Sequence, residues 1–318
     1  RALARGLSLP GARRHSIVRR VRFAGELAAL GTAACWATGS NFFAAAGRAM
    51  GSRVLNRLRI TTACLLLGTA LFVTRGAPWP VWATQQQILL LTFSGIIGFV
   101  FGDTWYFRSL VILGPGRAAL IASSAPIFTA LIAWPVLHES PGPLVVLGMS
   151  MTLGGIAWVV SARSDIAHEH AEGSVAMGIF AALLGAVGQA GGYVLSKMAL
   201  KTGIDPLSAT VIRVSTAAVF IWMIAAAERA TTETLAALKD RRASAFMAAG
   251  AFCGPFLGVT LSLTAIRFID TGVAASITAI YPIFAMLIAA RFHGETLTPR
   301  AMLGALVAVA GVVVLFLR

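Results

Sequence analysis

Charged residues are scarce in this chain. Asp, Glu, Lys and Arg make up 12% of its 318 residues, about half the share of a soluble domain. Only 12 of them are acids, 58% of the chain is hydrophobic, and the mean hydropathy is +0.82. This composition excludes an ordinary soluble domain and marks an integral membrane protein. Cysteine is sparse too. Cys35, Cys64 and Cys253 lie singly in apolar runs, without metal-ligand spacing or a disulfide framework, and read as small buried residues. No G-x-x-x-x-G-K-[ST] loop occurs, so no ATP-binding motif is present. A membrane-embedded enzyme would need clustered His, Asp, Glu or Cys at the membrane edge. Only His168-Glu169-His170 qualifies, and a single tract on a loop is a weak metal signal. The expectation is no enzyme, no cofactor and no bound metal.

What the chain has is basic charge, apolar runs and repetition. The net charge of +14 is unevenly placed: seven arginines, Arg1, Arg5, Arg13, Arg14, Arg19, Arg20 and Arg22, precede the first apolar run. This placement fits a basic arm at an anionic membrane surface better than a nucleic-acid surface. The segment is also acid-free and contains serine, as transit peptides do, and the chain does not begin with Met, so an organelle transit peptide stands as the alternative.

A membrane-crossing helix needs about 20 mostly apolar residues. Ten such spans are expected, near 23–46, 56–74, 88–110, 116–137, 143–161, 174–197, 207–227, 243–266, 271–292 and 299–317. The longest polar interruption, Ser161 to Gly173, divides them five and five. The expected organisation is a cytoplasmic arm over 1–22, a first repeat over 23–161, a linker over 162–173 and a second repeat over 174–318. Lys and Arg split evenly between the two sides, so the arm decides the orientation, with both termini inside.

The repetition is ungapped. Gly98 to Gly155 lies over Gly254 to Gly311 at a spacing of 156 residues. Gly98, Gly102, Thr104 and Gly116 fall on Gly254, Gly258, Thr260 and Gly272. Pro126-Ile127-Phe128 falls on Pro282-Ile283-Phe284, and Glu139 on Glu295. Because five is odd, the second copy must enter the membrane from the opposite side. The fold expected is therefore all-α, ten transmembrane helices as two inverted five-helix repeats around a central cavity, a transporter architecture with its site between the halves. Gly98-xxx-Gly102, Gly188-xxx-Gly192 and Gly250-xxx-Gly254-xxx-Gly258 read as close helix crossings.

The stretches APIFTALIAWPVLHESPGPLVVLGMSMTLGGIAWVV and YPIFAMLIAARFHGETLTPRAMLGALVAVAGVVVLFL resemble the paired signatures of the EamA family, part of the drug/metabolite transporter superfamily. GDTWYFRSLVILGPGRAALIASSAP and CWATGSNFFAAAG resemble its third-to-fourth and first spans. Pro135 departs from that pattern and predicts a kink or early end of span four. The resemblance covers roughly residues 23–318. It implies ten helices, a cavity lined by spans 1, 3, 4, 6, 8 and 9, and secondary transport, often export of amino acids or related metabolites.

Asp103 is the sharpest site candidate. An acid in mid-span costs about 2.5–3.5 kcal/mol on insertion scales, so it faces a cavity or a partner. It reads either as a proton-coupling or amine-anchoring carboxylate or as a structural acid paired with an arginine or a helix terminus. Its repeat counterpart is Val259. Arg59 and Arg213 occupy corresponding places in spans two and seven, read mainly as structural residues at helix ends, otherwise as partners of Asp103 or of a substrate carboxylate. Lys197 reads as a snorkelling residue or a cavity cation. Trp36, Asn41, Trp105, Tyr106, Gln189, Tyr193 and Tyr281 are candidate cavity walls, with helix or lipid packing as the alternative for each. Glu139 and Glu295, with His138 and His293 beside them, read as caps or gates, and Trp79 and Trp82 as interfacial anchors.

The function expected is an exporter of amino acids or related metabolites in a bacterial inner membrane, working by alternating access on a proton or substrate gradient, as monomer or homodimer and without nucleic acid. A nucleotide-sugar or lipid-intermediate translocator is the alternative and would need cavity Arg or Lys. A non-transporting membrane enzyme or assembly protein is the less favoured reading.

Overall fold

The computed structural model describes residues 23–161, 174–293 and 298–317. The basic arm, the linker with His168-Glu169-His170, and Glu295 lie outside the described residues. Every regular element among the described residues is helical. In the first half these are α1 (Ala24–Met50), α2 (Ser52–Arg75), α3 (Gln85–Gly95), α4 (Asp103–Ala122), α5 (Ala125–Leu137) and α6 (Pro143–Ser161). The second half holds α7 (Val175–Lys201), α8 (Pro206–Ala227), the short α9 (Thr231–Ala236), α10 (Arg241–Ala251), α11 (Val259–Phe268), α12 (Thr271–Thr278), α13 (Tyr281–His293) and α14 (Pro299–Phe316).

Seven helical stretches among the described residues are long and apolar enough to cross a membrane: Arg53–Arg75, Gln85–Tyr106, Pro143–Val160, Val175–Lys201, Pro206–Ala227, Arg241–Phe268 and Pro299–Phe316. Ala125–Leu137 and Thr271–Ala285 are shorter apolar helices. Large apolar side chains such as Leu65 (68% exposed) and Leu306 (66%) stand on the outer face, where lipid rather than water suits them.

Local sequence sets the helix ends. Thr84 and Gln87 form a reciprocal capping box before α3. Ser174, Asp205, Asp240 and Thr298 each accept a hydrogen bond from a backbone amide in the first turn of their helices. Pro143, Pro206 and Pro299 take the first helical position, where no amide partner is lost. Gly76 closes α2 in the left-handed conformation (φ 79°). Pro135 stands two residues before the end of α5, whose cap is His138 at φ 59°.

The 156-residue register persists in three dimensions. α3, α4, α5 and α6 begin 156 residues before α10, α11, α13 and α14. Between α3 and α4, Ile96–Gly102 winds as a π-helix, and Phe252–Gly258 does the same between α10 and α11. Asp103 and Val259, the first residues beyond these wide turns, donate their amides five residues back, to the Gly98 and Gly254 carbonyls. In the second copy Pro255 supplies a local cause, since proline has no amide and its ring crowds the preceding turn. Phe99 occupies that position in the first.

Matched helices also pack reciprocally. α6 and α14 lie together through Gly148, Gly155, Gly304 and Gly311. A Cβ at Gly155 would stand 2.4 Å from the Ala308 nitrogen, and one at Gly311 would stand 2.5 Å from the Thr152 nitrogen. Only glycine permits that approach. Each π segment packs against the first helix of the other half.

One expected break is missing. α4 runs unbroken from Asp103 to Ala122 through residues 111–115, where spans three and four were expected to separate. The second copy does break there: Ile269 and Asp270 are extended, and the Thr271 amide donates to Glu139 Oε2 at 2.6 Å. The first copy has Pro115 at the place of Thr271 and so has no amide to donate.

Candidate functional site

A cavity of about 740 Å³ lies between the two halves. Asp103, Trp36, Tyr106, Gln189, Tyr193, Tyr281, Arg59 and Arg213 all reach its wall, together with Phe43, Phe99, Ser262 and Thr278. The chain has only three tyrosines, and all three are there.

The centre of the site is an ion pair. Asp103 emerges from the first π turn, almost fully buried. Arg59 Nη2 donates to its Oδ2 at 2.8 Å, and Gln189 Nε2 donates to its Oδ1 at 3.2 Å. Arg59 is fixed in turn by Asn56, whose Oδ1 accepts from Nε at 2.8 Å, and by Phe43, whose ring lies 5.4 Å from the guanidinium. Both carboxylate oxygens are thus engaged, from α2 in one half and α7 in the other. A charge-assisted bond of this kind holds its geometry well, and removing one partner strands the other.

Arg213 has a different setting. It is 1% exposed, with its guanidinium 4.9 Å from the centre of the Phe99 ring. Its Nε and Nη1 are buried without a hydrogen-bond partner among the described residues. Glycine makes its niche: a Cβ at Gly95 would stand 2.5 Å from the Arg213 carbonyl oxygen, and one at Gly98 would stand 3.1 Å from Nη2. Arg59 and Arg213 each lie seven residues past the first residue of their helices, Ser52 and Pro206. The expectation of helix-end arginines is therefore corrected: both are two turns inside.

The tyrosines tie the wall together. Tyr106 and Tyr281 hydrogen-bond to each other across the two copies. Ser262 Oγ donates to the Tyr193 hydroxyl oxygen at 2.9 Å. Ser262 stands at the repeat position of Tyr106, so a small hydroxyl faces one side and a large phenol the other.

Two expected wall residues, Trp105 and Asn41, stand elsewhere, as does Lys197, read as a snorkelling residue or a cavity cation. Lys197 does not line the cavity. Its Nζ donates to the Ile266 carbonyl and, at 2.9 Å, to the Ile269 carbonyl, closing the C-terminus of α11, with Glu139 Oε1 at 3.7 Å. Trp105 packs edge-on against Phe101 and Phe180 at 6.2 Å and under Arg108, on the outer side of α4. Asn41 turns its amide back to the Ala37 carbonyl at 2.9 Å. Glu139 caps α12 by accepting from Thr271. The second and seventh spans, absent from the lining expected, contribute Leu55, Arg59 and Arg213. Their signal in the sequence was a charged residue at matched places in both halves. Phe43, also not anticipated, lies in the stretch quoted for the first span.

The repeated helices, the matched π turns and the cavity shared by both halves are accompanied by a family match in each copy. A model of the EamA-like transporter family matches residues 23–161 and again residues 176–317. The chain belongs to the EamA-like transporter family. No curated protein matches it. A solved structure described as "Crystal structure of protein" is similar over 91% of this chain and 95% of its own, with a TM-score of 0.65 at 19% identity, which extends the shared fold to nearly the whole EamA chain.

Proposed function

We propose that this EamA protein is a secondary transporter that exports amino acids or related small metabolites by alternating access. Ten spans in two inverted repeats enclose the substrate, and rocking of one repeat against the other exposes it to each side in turn. The observation that carries this reading is the cavity of about 740 Å³ walled by both copies, with a buried ion pair at its centre. That volume lies within the range of small-molecule sites. A bacterial inner membrane, with both termini inside, is the setting proposed.

Asp103 is the residue through which protons would couple to movement. It is the acidic side chain among the described lining residues, bonded to Arg59 within its own half and to Gln189 across the space that a rocking motion must open. Protonation would release Arg59, and deprotonation would recapture it. The test is uptake and efflux of radiolabelled amino acids in proteoliposomes, with and without a pH gradient. Saturable flux that depends on the gradient and is lost in Asp103→Asn, with the variant still folded, is the expected result. Undiminished flux in Asp103→Asn would remove Asp103 from the mechanism.

A further inference from the structure

Three charged side chains reach the cavity wall among the described residues: Arg59, Asp103 and Arg213. The first two neutralise each other at 2.8 Å. Asp103 also acts on Arg213 through space, but its two oxygens are bonded to Arg59 and Gln189. Arg213 therefore leaves the wall with one positive charge in excess. At the repeat position of Asp103, where a matching acid would stand in the second copy, the chain has Val259, itself part of the wall.

A buried charge without a counter-ion is costly, so such residues face a partner or a pathway. Phe99 covers only the face of the Arg213 guanidinium. Stacking of that kind leaves the in-plane N–H donors unused, and Nε and Nη1 lack partners among the described residues. Each bidentate edge of the guanidinium, Nε with Nη2 and Nη1 with Nη2, holds one of these atoms, and such an edge matches two oxygens of a carboxylate or phosphate. By contrast, no carboxylate with free oxygens is available in the described wall for an ammonium group. The rest of the described wall is uncharged and combines small residues with aromatic ones, among them Trp36, Phe43 and Tyr281.

We propose that Arg213 is the anion-binding residue of this cavity and that the solute carries a net negative charge, a carboxylate or phosphate head on an apolar body. The inference rests on the cavity being the substrate site, and it narrows that reading from zwitterionic amino acids to organic anions.

The test uses purified full-length protein in lipid nanodiscs, with binding read by isothermal titration calorimetry. The probes share one apolar body: 3-phenylpropanoate, phenylalanine and 2-phenylethylamine, with phenyl phosphate to separate the two anionic heads. The anions should bind tightest, phenylalanine more weakly and the amine weakest. Arg213→Met should weaken 3-phenylpropanoate binding roughly 100-fold, while Arg213→Lys retains part of it. Arg213→Met should also melt no lower than the wild type, because it removes an uncompensated charge rather than a structural bond. Equal or tighter binding of phenylalanine or the amine, silence from every probe, or full affinity in Arg213→Met would overturn the proposal. Proteoliposome counterflow separates it from the transport reading. Binding without counterflow leaves the anion site standing and sinks transport. Counterflow of an anion unaffected by Arg213→Met sinks the anion site and leaves transport.

Discussion

The two halves of this chain place an arginine at the same depth of the same helix and treat it in opposite ways. Arg59 is held by Asp103, Asn56 and the Phe43 ring; Arg213 is held by a ring and a glycine-lined niche, with two nitrogens left over. Much of the scaffold is shared: π turns in register, four helices starting 156 residues apart, and glycine faces that meet each other, although α4 runs on where the second copy breaks. Chemistry is where the copies part. A repeat can carry its register forward while a single position, Asp103 against Val259, makes one half neutral and the other positive.

The contrast can be broken most forcefully at Arg59. Arg59→Met leaves Asp103 buried with Gln189 as its hydrogen-bond partner among the described residues and should cost about 3–5 kcal/mol, read from denaturation in detergent. A loss no greater than that of Arg213→Met would mean that the two arginines are equivalent after all. Val259→Asp is the converse experiment, since it offers Arg213 the acid that the first copy has. It should raise the melting temperature or leave it unchanged while lowering 3-phenylpropanoate affinity at least about tenfold, the counterpart of about 1.4 kcal/mol. Unaltered affinity would show that position 259 does not reach Arg213.

Smaller effects sharpen the comparison at the two crossings. A Cβ at Gly188 would meet the Gly102 Cα at 2.8 Å and the Ile97 carbonyl at 2.9 Å, both backbone, whereas one at Gly254 first meets the Phe43 side chain at 3.3 Å. Gly188→Ala should therefore cost about 1–3 kcal/mol and Gly254→Ala less than about 1, because a ring can move and a backbone cannot. The ranking of the two melting temperatures checks this. The smallest effect is expected at Trp105. Its ring contacts among the described residues are Phe101, Phe180 and Arg108, away from the cavity wall, so Trp105→Leu should change stability by about 1 kcal/mol or less and leave flux unchanged.

Repetition was the most legible property of the sequence, because glycines and prolines at fixed spacing survive duplication and mark backbone constraints. The aromatic wall was legible in part. Trp36 and the tyrosines stand in it, whereas Trp105, one residue from Tyr106, points the other way. Adjacent positions on a helix point about 100° apart, and a π turn just before them shifts the phase in a manner that periodicity does not reveal. Lys197 stays open in the sequence because a lysine in an apolar run can reach a cavity, an interface or the carbonyls ending a neighbouring helix, and only packing decides. The unbroken α4 escaped detection for a similar reason. Gly114 and Pro115 look like a break, but the bond that opens the second copy starts from the amide of Thr271, which Pro115 lacks.

The niche around Arg213 also bears on how the chain is made. Gly95, Gly98, Phe99 and Gly192 all precede Arg213, so its shelter has been synthesised before it leaves the ribosome. Arg59 finds Phe43 and Asn56 already made but not its counter-ion, because Asp103 follows it by 44 residues and Gln189 arrives later still. An arginine at the centre of a helix costs about 2.5–3.5 kcal/mol during insertion. The second copy meets that cost with its neighbours already in the bilayer, whereas the first must wait for its counter-ion.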